Sequence, residues 1–128
     1  MKLLLDTNAF LWMALGTEEL SPAAARAIAD AGNEKRLSVV SLWKIAIKSG
    51  LGKLELNEPF AALLARVDAM RMIERLPIAD AHLLRYATLP LHHRDPFDRM
   101  LVAQALSEAC TLVSSDAPLD AYGVRRLW

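Results

Sequence analysis

The sequence has 128 residues, with 15 Lys plus Arg against 15 Asp plus Glu, 54% apolar residues and one cysteine. That length suits one domain with a core of its own, and the apolar fraction excludes intrinsic disorder. A lone Cys110 excludes an internal disulfide framework and a cysteine-rich zinc site, no apolar run is long enough to span a bilayer, and zero net charge argues against a broadly basic nucleic-acid coat.

In chain order, residues 2–5 (KLLL) read as a short buried strand ended by Asp6. A signal-peptide reading of the same start stops at that aspartate, so the chain is expected to be soluble and cytoplasmic. Residues 7–15 form a helix closed near Gly16. Ser21-Pro22 starts a second helix, with serine as N-cap and proline at the first helical position, ending by Gly32. Residues 37–40 (LSVV) read as a second strand, and Ser41 opens a helix running to about Gly50. A further helix follows Glu58-Pro59, and residues 72–76 read as a third strand. Helices are expected after Pro77 and after Asp95-Pro96. Residues 111–114 and 124–127 supply two more strands. Strands alternating with helices imply an α/β fold, a small parallel sheet with helices on both faces, in one unit over residues 1–128. In such sheets the functional site lies beyond the carboxyl ends of the strands.

Three acids gather there. Asp6 follows the first strand, Asp116 follows the strand at 111–114, and Asp98 sits in the first turn of the helix begun at Asp95-Pro96. Clustered carboxylates repel each other and are costly to desolvate, which is why such clusters commonly serve a bound cation. All-oxygen ligands suit Mg²⁺ or Mn²⁺. Each aspartate also has a plainer reading. Asp6 and Asp116 follow strands, where aspartates often cap turns. Asp95 before proline is a good N-cap, and Asp98 complements the helix dipole.

The strings LLDTNAFLW (4–12), SVVSLWKIAIKSGLGKLEL (38–56), HHRDPFDRMLVAQAL (92–106) and LVSSDAPLDAYGVRRLW (112–128) together resemble a VapC-type PIN-domain toxin over essentially the whole chain. The resemblance implies a Mg²⁺- or Mn²⁺-dependent endoribonuclease acting on tRNA or ribosomal RNA. It also implies a VapB-type antitoxin that occupies the active site, and a homodimer. Matched position by position, Asp6, Asp98 and Asp116 are the metal-binding acids. Thr7 and Asn8 are the polar pair that orients them, and Ser41, Asp95 and Arg99 take supporting roles.

One position departs from the pattern. The family's Ser-Leu-Trp-Glu-Ile stands here as Ser41-Leu42-Trp43-Lys44-Ile45. With Ser41 as N-cap, a glutamate at 44 would complete a capping box, whereas lysine faces the positive end of the helix dipole. Lys44 is expected to pair with one or more of the three aspartates and so to weaken metal binding and cleavage; the alternative is a lysine turned to solvent.

Lys48, Arg94 and Arg99 are the candidate RNA rim, because they flank the acidic segments. His92 and His93 read as a polar loop, solvent-exposed or near phosphate rather than catalytic. Trp12, Trp43 and Trp128 read as core, and Cys110 as a small buried hydrophobe. The glycines at 50 and 52 lack the phosphate-loop frame. Two other classes remain open: a catalytically silent PIN-domain protein that acts by binding its antitoxin or a repressor complex, and a phosphatase-like hydrolase using Asp6 as nucleophile. Asn8 weakens the second, since such enzymes carry another aspartate two residues on.

Overall fold

Leu3, Leu4 and Leu5 are fully shielded from solvent. Three consecutive apolar side chains alternate between the two faces of a strand, so all three are buried only if both faces are covered. This is the state of β1 (Lys2–Leu5) in the computed structural model, which describes residues 1–128. On one side it pairs with β2 (Glu34–Ser38), which pairs with β3 (Ile73–Leu76). On the other it pairs with β4 (Thr111–Val113), which pairs with β5 (Arg126–Leu127). Every pairing is parallel, and the order is β3-β2-β1-β4-β5. The expected α/β fold with a helix-flanked parallel sheet is the observed one.

The crossover segments form the two outer layers. On one face, Leu3, Leu5, Leu37 and Val113 pack with residues of α1 (Thr7–Leu15), α2 (Pro22–Ala29), α3 (Val39–Gly50) and α4 (Phe60–Ala69). On the other, Leu4 and Leu112 meet Leu101, Val102 and Ala105 of α6 (Pro96–Glu108), Leu119 of a 3₁₀ helix (Ala117–Tyr122), and Val40. The last helix, α5 (Asp80–Thr88), packs against α6. No helix is long and apolar enough to cross a membrane.

Most helix starts follow local chemistry. Asp6 caps α1, its carboxylate accepting from the Ala9 N–H at 2.7 Å. Ser21 caps α2 and Asp95 caps α6, each followed by proline. At the far end of α1, Gly16 takes a left-handed conformation (φ 67°) that a side chain would strain.

The expected boundary between β2 and α3 is displaced. The strand covers residues 34–38 rather than 37–40, and the cap of α3 is Ser38, whose hydroxyl accepts from the Val40 N–H at 3.1 Å. Val39 and Val40 therefore open the helix. The capping-box reading of positions 41 and 44 falls with it, because Ser41 lies inside the first turn of α3 and Lys44 lies one turn further on. The 3₁₀ helix was not expected, and the last strand is Arg126–Leu127 rather than residues 124–127.

Candidate active site

The strand order reverses beside β1. The chain steps outward from β1 to β2 and β3, and then returns to β4 on β1's other edge. Helices leave in opposite directions from such a point and open a crevice at the carboxyl ends of the strands. Asp6 stands at the end of β1 and Asp116 just past β4, and the Asp6 N–H donates to the Val113 carbonyl at 3.0 Å. Asp98, in the first turn of α6, completes the acidic group.

Asp6 is half-buried. Burial raises its pKa, the Ser114 hydroxyl and the Ala9 N–H pull it partly back, and the neighbouring charge of Asp116 pushes it up again. Burial likewise raises Asp98, with the charges of Asp95 and Asp116 adding to the rise and those of Lys44 and His93 opposing it. These carboxylates are thus less willing to ionise than ordinary surface ones. A cation is what would offset the cost.

Lys44 does not turn to solvent. Its side chain is 18% exposed, and its Nζ lies 3.3 Å from Asp95 Oδ2 and 4.0 Å from Asp98 Oδ1. It also sits 5.8 Å from the centre of the Phe97 ring, within cation–π range. The strongest partner is therefore Asp95 rather than one of the three acids first considered. Asp95 acts twice. Its Oδ1 accepts from the Phe97 N–H at 2.8 Å as the α6 cap, while Oδ2 meets Lys44. Burial alone would raise its pKa, but the Lys44 charge and the backbone N–H groups of Asp98 and Phe97 outweigh this and hold it below the ordinary value.

His93 is the residue that sequence reasoning misplaced. Its Nε2 lies 3.5 Å from Asp116 Oδ2 and 3.7 Å from Asp98 Oδ2. The three side chains offer ligand atoms within 4.8 Å of one another, a group from which Asp6 stands apart. The ring is aimed by its backbone. The Asp95 N–H donates to its Nδ1 at 3.1 Å, and its own N–H donates to the Tyr122 hydroxyl at 2.8 Å. The signal was the run His93-Arg94-Asp95-Pro96-Phe97-Asp98, which brings an imidazole back over the helix start that carries Asp98.

Arg99 is not part of an RNA rim. It is 8% exposed, and its guanidinium donates to the carbonyls of Pro90 and Leu89 and to the Tyr122 hydroxyl. It braces the loop that carries His93, which is a supporting role. Lys48 and Arg94 do line one cleft of about 480 Å³, joined by Lys53 and with Lys44 at its acidic end. Thr7 and Ser41 meet directly, the threonine hydroxyl donating to the serine at 2.9 Å and tying α1 to α3. Asn8 is exposed on α1. Trp43, expected in the core, is 59% exposed and packs edge-on against Phe97. Trp12 and Trp128 pack against each other, with ring centres 5.6 Å apart, and Cys110 is buried.

The PIN-domain family model matches residues 3–124. The chain belongs to the PIN-domain family. PIN domains are generally nucleases dependent on divalent metal, and this chain brings an acidic cluster together. No curated protein sequence matches the chain. Among solved structures, VapBC2 from Rickettsia felis bound to a promoter DNA fragment is similar, with a TM-score of 0.73 at 16% identity, covering 98% of this chain and 97% of that one. DNA-bound VapBC from Salmonella typhimurium gives 0.71 at 17% identity over 98% and 96% of the two chains. VapBC-5 from Mycobacterium tuberculosis, described as a member of the VapBC toxin–antitoxin family, gives 0.63 at 20% identity over 98% and 96%. At these identities the likeness is one of fold.

Proposed function

We propose that this PIN domain is a VapC-type endoribonuclease, the toxin of a toxin–antitoxin pair, with its cleavage impaired by Lys44. The reading rests on one observation: the Lys44 ammonium sits against Asp95 and Asp98, at the position where the family's resembled segment carries a glutamate. Asp6, Asp95, Asp98 and Asp116 with one ammonium leave a charge of −3, where a glutamate at 44 would make it −5, so the lysine removes two units of the negative charge that draws divalent ions.

The donor chemistry fits one such ion. Asp98 and Asp116 would hold it through oxygen, the ligand type that Mg²⁺ and Mn²⁺ take, and Asp6, which stands apart from that close group, would join them through a water or a shift of its side chain. When bound, the ion activates a water and stabilises charge on a phosphodiester. The protein's own part is positional. Asp95 fixes the start of α6 and hence Asp98, the Ala9 N–H orients Asp6, and Lys48, Lys53 and Arg94 offer positive charge to an RNA backbone at the edge of the acids. The partners that go with this reading are a VapB-type antitoxin, a tRNA or ribosomal RNA substrate, and a second copy of the chain. The same Lys44 contacts favour one other reading, a silent PIN domain that works only by binding an antitoxin or a repressor complex.

Cleavage of total RNA with Mn²⁺ separates the two. The parent chain is expected to cut slowly and Lys44→Glu to cut at least tenfold faster. The Asp6→Ala, Lys44→Glu double variant is expected to be inactive. If Lys44→Glu cuts no faster than the double variant, the nuclease reading is wrong and the binding one stands.

A further inference from the structure

His93 is held from three sides. Its N–H and that of His92 both donate to the Tyr122 hydroxyl, at 2.8 Å and 3.2 Å. Arg99 in turn grips Tyr122 at 3.1 Å and the Pro90 carbonyl at 2.8 Å, so the loop after α5 is tied to α6 and to the 3₁₀ helix. The Asp95 N–H then donates to Nδ1. A ring nitrogen that accepts a hydrogen bond carries no proton, so the neutral imidazole bears its hydrogen on Nε2. That nitrogen lies 3.5 Å from Asp116 Oδ2 and 3.7 Å from Asp98 Oδ2, within ion-pair distance of both carboxylates.

A metal ligand needs a lone pair where this nitrogen has a hydrogen. Moving the proton to Nδ1 would set it against the Asp95 N–H. The ring is therefore oriented as a donor to the two carboxylates and not as a third ligand beside them. With Lys44 Nζ 4.0 Å from Asp98 Oδ1, each oxygen of Asp98 has a nitrogen within ion-pair distance.

We infer that His93 is a resident competitor of the divalent cation: its Nε2–H side sits against Asp98 and Asp116, and an ion takes those oxygens as the imidazole turns away. The side chain is 27% exposed, and its backbone is anchored separately by the Tyr122 hydroxyl. This rests on the metal-site reading above. It adds that a histidine beside two aspartates opposes the ion instead of binding it.

Calorimetric titration with Mn²⁺ alone tests the sign, with electron paramagnetic resonance counting the bound ion. The parent, His93→Ala and His93→Gln are compared, each also in the Lys44→Glu background, with melting curves confirming the fold. His93→Ala is expected to bind Mn²⁺ about three- to tenfold more tightly, the worth of the contacts the ion no longer has to displace. His93→Gln keeps an N–H donor of similar reach and is expected to bind like its parent. Weaker binding in both variants would make His93 a ligand and overturn the inference, as would unchanged binding in His93→Ala. If no variant takes up Mn²⁺, Lys44→Glu included, the metal-site reading falls and this inference with it.

Discussion

Asp6 does two jobs that pull against each other. As the cap of α1 it must accept from the Ala9 N–H, which either an aspartate or an asparagine can do. As an ionised group it carries a cost, because burial raises its pKa. For a carboxylate with a raised folded value, the cost is absent below the ordinary value of 3.8 and sets in as pH rises through the folded one. Asp6→Asn keeps the cap and removes the charge. It is therefore expected to raise the melting temperature at pH 7 in the presence of a chelator, and to lose the gain below about pH 3.8. A calorimetric scan of both proteins at the two pH values checks this, and equal melting temperatures at pH 7 would refute it. Asp95 has the opposite sign. Its lowered value means that the Lys44 pair contributes fully above 3.8 and fades as pH falls through the folded value. Lys44→Met should flatten that acid limb, which is read from melting temperature between pH 2 and pH 5.

At the scale of elements, β2 and α3 show why some boundaries could be read and this one could not. The sequence SVVS offers two serines as caps and two valines suited to either element. Glu34-Lys35-Arg36 looks too polar for an inner strand. Yet Lys35 is buried by laying its aliphatic stem along the sheet, while its ammonium donates to the Asp30 carbonyl at 2.9 Å. Only the pairing of β2 with β1 and β3 settles which residues extend. By contrast, Asp6, Asp95-Pro96 and Ser21-Pro22 announce their helices locally, and Asp6, Asp98 and Asp116 were placed at the sheet edge by topology alone. His93 was not, because its place depends on Tyr122, 29 residues away in sequence. The two serines give a test. Ser38→Ala removes the cap and should cost about 1 kcal/mol. Ser41→Ala removes only the partner of Thr7 and leaves the first turn of α3 intact. Denaturant unfolding with amide exchange should therefore show loss of protection at Val40 in Ser38→Ala alone. Unchanged protection at Val40 in Ser38→Ala would overturn the Ser38 cap.

For the molecule as a whole, β1 is the shared wall of two cores. Leu3 and Leu5 belong to the face under α1, α2 and α4, while Leu4 belongs to the face under α6. Because all three are fully buried in the middle strand of five, damage to either core is transmitted through the same backbone ladder to the other. Leu4→Ala and Leu5→Ala are each expected to cost about 2–5 kcal/mol, the range for emptying a buried leucine site in a tightly packed interior. Neither should split unfolding into stages. In a Trp43→Phe background, the tilted pair Trp12 and Trp128 reports the α1 face in near-ultraviolet circular dichroism, and the far-ultraviolet signal reports all helices, α6 among them. In Leu4→Ala the two signals should move to lower denaturant together, although the cavity lies on the face away from both tryptophans. A far-ultraviolet transition that precedes the tryptophan one would mean that the α6 layer unfolds alone. The acid cluster, built from β1, β4 and α6, would then come apart before the rest of the sheet.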